Sequence, residues 1–284
     1  MTTQTQKTIK ELLEFGIINI DKPSGPTSSW VSQYIREALG LTKTSHLGTL
    51  DPQVSGVLPV ALNRACRLND YFMHKDKTYV GIMRIHKEIS KEDLQKEANK
   101  FIGKINQLPP VRSNVRREAR VREVKTFEIL EQKEKDFLFV TRVQAGTYIR
   151  KLCSDLGERI GGAHMLELRR TDAGIFNEGT AITLYEFDKL VEEYKKEKEL
   201  PLKKVITSGE IVSTTISKIE IRRDVVKKVL TGSPIFKSFL EKEQDLSKIK
   251  DGDKVAVYSA KRFIGCYNYI NKGDLVAKPD FVLN

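Results

Sequence analysis

The segment His46-Leu47-Gly48-Thr49-Leu50-Asp51-Pro52 presents one carboxylate between glycines at positions 48 and 56. An aspartate that precedes proline is held extended, because the proline ring clashes with a helical backbone on the residue before it. The glycines allow a backbone or a ligand to come close. A carboxylate presented in this way can attack an electrophilic carbon or stabilise developing positive charge. Aspartate is also a favoured turn former, so this segment alone leaves chemistry and architecture both open for Asp51.

Three further segments carry reactive or binding side chains. Lys77-Thr78-Tyr79-Val80 offers the ring and hydroxyl of Tyr79, although a tyrosine in a strand also suits a core. Ala145-Gly146-Thr147-Tyr148-Ile149-Arg150-Lys151-Leu152 sets Arg150 near the edge of an apolar helix face, where it can serve as a surface residue or as the partner of a carboxylate. Gly162-Ala163-His164-Met165-Leu166-Glu167-Leu168-Arg169-Arg170-Thr171 contains Leu168, which can wall a site or simply pack in a core. A basic cluster follows Leu108-Pro109-Pro110: Arg112, Arg116, Arg117, Arg120, Arg122 and Lys125 stand against Glu118 and Glu123, a local excess of 6 − 2 = +4. Guanidinium groups suit phosphate contacts, and a charged strand edge also blunts unwanted pairing.

The elements that must position these groups are legible. Residues 15–20 form a short apolar strand, and Asp21-Lys22-Pro23-Ser24-Gly25-Pro26 forms a turn. A helix follows, capped by Thr27 or Ser28, with Val31, Tyr34, Ile35 and Ala38 at helical spacing and Gly40 at its end. Residues 44–59 read as a loop of defined shape, 63–72 as a helix and 79–85 as a strand. Ser90 and Asp93 suggest a capping box that opens a helix with Leu94, Ala98 and Phe101. Residues 121–143 read as two antiparallel strands around a polar stretch at 131–136, and 147–160 as a helix with Ile149, Leu152, Cys153, Leu156 and Ile160 on one face. Strands and helices mixed in this order predict an α+β domain around an antiparallel or mixed sheet.

Composition shifts after Leu184. Residues 188–204 are dense in Glu and Lys and read as a solvated helix leading into a linker. Beyond it, residues 251–253, 254–259 and 262–269 read as the turn and meandering strands of a small β domain, with a boundary near Gly209. The organisation expected is therefore a catalytic domain over 1–208 and a short β domain over 209–284.

The 284 residues carry 49 Lys and Arg against 38 Asp and Glu, a net charge of +11, which is the electrostatic footprint of a polyanion binder and also of an ordinary alkaline protein. The longest apolar run, 57–62, is too short to span a membrane. Residues 1–10 are polar and lack the apolar segment of a secretory signal. Cys66, Cys153 and Cys266 are scattered without a Cys-x-x-Cys pair, which argues for reduced thiols in a cytosolic protein and against a structural zinc site.

Together with Gly16-Ile17-Ile18-Asn19-Ile20-Asp21-Lys22-Pro23-Ser24-Gly25-Pro26-Thr27-Ser28, these segments closely resemble the TruB-type pseudouridine synthases, in order from about residue 16 to 183. The wording Gly48-Thr49-Leu50-Asp51-Pro52, and the near-direct run from Ile85 into the Ser90 helix, resemble the dyskerin-type branch, the catalytic subunit of archaeal and eukaryotic H/ACA ribonucleoproteins. The C-terminal region resembles a PUA domain, an RNA-binding β module, in a shortened form. The resemblance implies a pseudouridine synthase fold and an isomerase that converts uridines of ribosomal RNA, with tRNA as the other target. It implies Asp51 as the catalytic carboxylate, Arg150 as its ion-pair partner in a closed pocket, and Tyr79 as the aromatic that stacks on the flipped uracil. Leu168 then walls the pocket, and His46 touches RNA beside the extruded nucleotide. Lys22 supports the architecture or touches phosphate, and the loop bearing Arg112, Arg116, Arg117 and Arg120 grips substrate RNA.

The implied reaction is redox-neutral and calls for no cofactor and no metal. Implied partners are an H/ACA guide RNA, a small zinc-ribbon scaffold protein, a β-barrel accessory protein and a kink-turn-binding protein, with no membrane. The sequence has no lysine-rich nucleolar tail, which implies an archaeal-like cytoplasmic protein. The other enzyme reading is a stand-alone tRNA pseudouridine synthase. A reading of a different class is a non-catalytic RNA-binding or chaperone protein, which would have no use for Asp51, Tyr79 and Arg150 together.

Overall fold

The computed structural model describes residues 7–108, 116, 118–242 and 244–284. The chain divides into two units after Thr207. The first opens with α1 (Ile9–Glu14), β1 (Gly16–Lys22), α2 (Ser28–Ala38), β2 (Thr44–His46), β3 (Ser55–Leu62), α3 (Asn69–Met73) and β4 (Lys77–Ile85). It continues with α4 (Lys91–Asn99), β5 (Gly103–Gln107), β6 (Arg120–Lys133), β7 (Asp136–Val143), α5 (Ile149–Ile160), β8 (Ala163–Ala173), β9 (Phe176–Asn177) and β10 (Ile182–Thr183). Two helices, α6 (Leu184–Lys195) and α7 (Glu199–Val205), precede the short β11 (Ile206–Ser208).

The main sheet runs in the order β10-β1-β3-β8-β4-β7-β6-β5, with β2 beside β3, β9 beside β8 and β11 beside β1. The β1–β10 and β3–β8 pairs are parallel and the remaining neighbours on the path antiparallel, so the sheet is mixed as expected. Alternation sets its core face: Phe137, Phe139, Thr141 and Val143 of β7 are buried, whereas Leu138 and Val140 between them are only partly so. Against that face pack α2 through Val31 and Ile35, α4 through Leu94 and Ala98, and α5 through Ile149, Leu152, Cys153 and Leu156.

Four local expectations change. Residues 44–59 are a loop only in their middle: β2 pairs with the apolar β3, which buries Val57 through Leu62, and this fixes 47–54 as a short connection. Residues 63–72 begin as a 3-10 turn over Asn63–Leu68, with Asn63 at φ 42, before the short α3. The β6–β7 hairpin turns tightly, Lys133 pairing with Asp136, and Glu134 takes the positive φ of 55 that this closure demands. Finally, 188–204 is helical as expected but is neither fully solvated nor a lead into a linker. Thr183 and Glu186 close a capping box at α6, and Phe187, Val191 and Leu202 are buried in the main core. The charges of this stretch lie on the outer faces of two packed helices, where charge density in the sequence hides the apolar stripe.

The second unit holds β12 (Ser217–Glu220), α8 (Val226–Leu230), β13 (Ile235–Phe236), β14 (Lys254–Ser259), β15 (Arg262–Lys272) and β16 (Leu275–Val282). Its sheet order is β12-β14-β15-β16-β13, with β12 and β14 parallel. It has its own core, built from Ile219, Val229, Val255, Val257, Ile264, Tyr267 and Val276 among others.

If α6 belongs to the catalytic core, Phe187→Ala should cost about 3–5 kcal/mol, the usual penalty for truncating a buried phenylalanine. Urea unfolding of the full chain measures this, and a loss under 1 kcal/mol would return α6 to the surface.

Candidate active site

Asp51 lies in the 47–54 connection, and four groups, three of them buried, tie the backbone around it. Ser28 is the first. Thr27 caps α2 by accepting the Trp30 amide, which frees the buried Ser28 hydroxyl to accept the Leu50 N–H at 2.8 Å and donate to the Leu50 carbonyl at 3.0 Å. Lys22 is the second: it is fully buried, and its ammonium donates to the carbonyls of Pro23, Pro26 and Pro52 at 2.7, 2.9 and 3.0 Å. The Gly25 amide also donates to the Pro52 carbonyl, at 2.8 Å. Arg170 is the fourth, with donors to the carbonyls of Gly48 at 2.9 Å and Val57 at 2.8 Å. Glycine is required beside this network at position 56, where φ is +103 and an added Cβ would fall 2.1 Å from the Arg170 carbonyl oxygen.

Arg150 comes from the first turn of α5 and donates through Nη2 to the Asp51 carboxylate. No side chain caps α5 at Tyr148; the buried Gln107 of β5 supplies the missing group from outside the helix. Its Oε1 accepts the Tyr148 N–H at 2.9 Å, and its Nε2 donates to the Tyr148 carbonyl at 3.1 Å. Arg122 holds the preceding turn by donating to the Gly146 carbonyl at 3.1 Å. The carboxylate and guanidinium side chains are 55% and 50% exposed, so the pair stands open on the surface and not in a closed pocket. The cause is geometric: Asp51 sits at the crest of a connection whose backbone faces inward, and its side chain points away from the core that Leu50 and Val54 join.

Tyr79 is half-buried on β4, on the same face as Lys77 and Gly81, and packs against the main core. Across the strands Tyr79 pairs with Arg170 and Gly81 with Leu168. Leu168 is buried and part of that core. His46 ends β2, and its Nδ1 is buried without a hydrogen-bond partner among the described residues. Burial, and then the nearby Arg170 charge, hold its imidazole below its ordinary pKa, which favours the neutral ring.

Of the two roles expected for Lys22, its surroundings fit the architectural one. With no exposed surface and its donors spent on three carbonyls, it has nothing left to offer a phosphate, and its role is architectural. Of the basic cluster, Arg112 and Arg117 lie outside the described residues. Arg116 is exposed and pairs with Glu118 at 2.8 Å, and Arg120 opens β6 opposite Gln107. Sequence reading gave no role to Ser28 beyond capping, nor any to Lys77, Gln107 or Arg170. One sign was present for Arg170, which shares with Leu168 the period-two face of an alternating strand.

Lys77 shows the electrostatic character of the site's floor. It is buried and donates to the carbonyls of Met73 and Lys75, both at 2.6 Å. Burial, reinforced by the Arg170 charge, pushes its ammonium from the ordinary 10.5 down to about 8. Between those values the unfolded chain binds more protons than the folded one, so this group's contribution to stability rises with pH. Below the folded value the buried charge is a standing cost. The stability difference between wild type and Lys77→Met should therefore shift in favour of wild type from pH 7 to pH 10, read by urea unfolding at several pH values. A difference that stays flat would mean that Lys77 titrates normally.

The TruB family pseudouridylate synthase N-terminal domain matches residues 36–149, and the tRNA pseudouridylate synthase B C-terminal domain matches residues 150–212. A "Probable tRNA pseudouridine synthase B" of Methanopyrus kandleri is 40% identical over 90% of this chain and 76% of its own length. The protein of the same description from Thermoplasma acidophilum is 39% identical over 86% of this chain and 67% of its own. Among solved structures, a chain of a "Cbf5-Nop10-Gar1 Complex" superposes with a TM-score of 0.90 at 35% identity, covering 99% of this chain and 89% of that one. A chain from an H/ACA RNP "bound to a substrate RNA containing 2'-deoxyuridine" gives a TM-score of 0.87 at 33% identity, with the same coverage of 99% and 89%.

Proposed function

The chain belongs to the TruB family of pseudouridine synthases and is an RNA pseudouridine synthase; from that premise we propose that Asp51 is its reacting carboxylate, Arg150 its orienting partner and Tyr79 the platform for the uracil ring. The observation that carries this reading is the Asp51–Arg150 ion pair, held at an open surface by a connection whose backbone is tied from beneath. The reaction breaks the bond between ribose C1′ and uracil N1, turns the base, and joins C1′ to C5. The proton lost from C5 is balanced by one gained at N1, so no electrons are exchanged. The sugar carbon becomes electron-poor as the first bond breaks, and a carboxylate beside it either bonds to it or offsets its charge. Arg150 keeps that carboxylate aimed through a charge-assisted hydrogen bond. Tyr79 offers a stacking face, with Leu168 beneath it in the core. His46 and the basic residues Arg116 and Arg120 are the contacts to RNA around the target uridine.

We further propose that the enzyme works with an H/ACA-type guide RNA and its accessory proteins. The similarity to chains solved within such assemblies extends over nearly the whole of this chain, and that extent supports the reading. On this reading the second unit is a PUA-like module that holds RNA. Stand-alone action on tRNA is the alternative, tRNA being the RNA named in the description of the sequence relatives. Assay of the purified chain on ribosomal RNA and tRNA, with and without guide RNA and accessory proteins, separates the two: conversion of tRNA by the chain alone, without gain from guide RNA, would overturn the guided reading.

Two substitutions test the site. Asp51→Asn keeps the shape and removes the charge, so isomerisation should be abolished while RNA binding persists in a filter or gel assay. Near-normal turnover would remove Asp51 from the mechanism. Arg150→Ala should cut single-turnover rates by roughly 100-fold, in line with loss of one preorganised charged donor. Because the pair is half-exposed, the stability change should stay within about 1 kcal/mol. A variant with full activity would break the proposed pairing.

A further inference from the structure

Arg170 is only 1% exposed, yet none of its described hydrogen bonds goes to a carboxylate. Its Nε donates to the Val57 carbonyl at 2.8 Å, its Nη2 to Gly48 at 2.9 Å and its Nη1 toward Thr49 at 3.4 Å. Gly48 and Thr49 lie in the connection before Asp51 and Val57 lies in β3 after it, so one planar group ties the connection to the strand that follows the carboxylate. The strand beneath has the same centre. Arg170 pairs with Tyr79 of β4 on one side and with Gly56 of β3 on the other.

Burying a guanidinium without a counter-ion is costly, and well-packed apolar residues often fill such a position with no loss of stability. Two other cations, Lys22 and Lys77, are buried close enough for the Arg170 charge to lower their proton affinity, which adds to that cost. Packing economy therefore does not account for an arginine here. Geometry does: a guanidinium presents several donors in one rigid plane and can span carbonyls splayed from separate segments, which a lysine ammonium on a flexible stem does not reproduce.

We propose that Arg170 is a positioning residue for the isomerisation, fixing the Asp51 connection in register with the strand that carries Tyr79. The inference rests on the reading of Asp51 as the reacting carboxylate. Errors of about 1 Å in the placement of a reacting group can cost on the order of 100-fold in rate, and an untied Gly48–Thr49 backbone permits displacements of that size.

The test uses full-length R170K, R170Q and R170M, with Asp51→Asn as control, in the RNA-modification assay in which the wild-type chain is active. Folding is checked by circular dichroism and thermal melting, RNA affinity by direct binding, and chemistry by single-turnover rate at saturating RNA. The expected result for each folded variant is a rate reduced roughly 10- to 100-fold with RNA affinity changed less than about threefold. R170K, although it keeps the charge, should recover little of the rate. Should R170M not fold, R170K and R170Q are read in the same way. A folded variant that reacts at the wild-type rate, or one whose defect lies wholly in RNA affinity, overturns the inference. If Asp51→Asn itself is active, the assignment of Asp51 has failed; if it is inactive while folded R170K or R170M retains full rate, only the role of Arg170 has failed.

Discussion

The site depends on buried cations that spend their donors on backbone carbonyls. A connection of eight residues between two strands would ordinarily expose its carbonyls to water and move with it. Here Lys22 takes the carbonyl of Pro52 and Arg170 those of Gly48 and Val57, so the connection is tied from below by charge-assisted hydrogen bonds in a low-dielectric interior. Ser28 adds a reciprocal pair of bonds to Leu50. Losing Ser28 or Arg170 would leave buried polar groups unsatisfied, which is more costly than the net worth of the bond. The floor of the site is rigid for that reason, whereas the groups on its upper surface are free to meet a substrate.

The contrast with the Asp51–Arg150 pair is instructive. Its two side chains are about half-exposed, so water screens their attraction, and their contribution to folding is small. An ion pair of this kind is held by its supports. On one side stands the tied connection, and on the other α5, whose first turn is anchored through the two hydrogen bonds between the Gln107 side chain and the Tyr148 backbone. Stability is concentrated in the buried supports beneath the pair, and the exposed pair itself contributes little to it. Substitutions in the two layers should therefore separate folding from chemistry.

The mixed sheet explains how residues far apart in sequence converge. The parallel β3–β8 contact brings Gly56 against Arg170, and the antiparallel β4–β8 pairing brings Tyr79 against the same residue. Three segments that the sequence separates by tens of residues are thus joined at one arginine. The helices lie on the sheet through apolar stripes. The two charged helices after Thr183 complete that core and lead to the chain's division after Thr207.

Much of this was legible from sequence. The order of motifs from the first turn to the Gly162–Thr171 segment identified the family, and alternating and helical periodicities gave β4, the β6–β7 hairpin, α2, α4 and α5, because those patterns are local and strong. The pairing of Arg150 with Asp51 was likewise legible, since each stands in a contiguous motif. Sequence could not reveal the exposure of the Asp51–Arg150 pair, because burial depends on which atoms other segments bring near. Nor could it tell Lys22, Lys77 and Arg170 from surface cations: a charged residue in a polar-looking stretch gives no sign that backbone carbonyls from distant turns will enclose it. The 188–204 stretch misled for the opposite reason, its many charges masking Val191 and Leu202. The candidate residues stand in short contiguous motifs, but the support beneath them exists only once the strands have paired, because hydrogen bonds between side chains and remote backbone groups have no sequence periodicity.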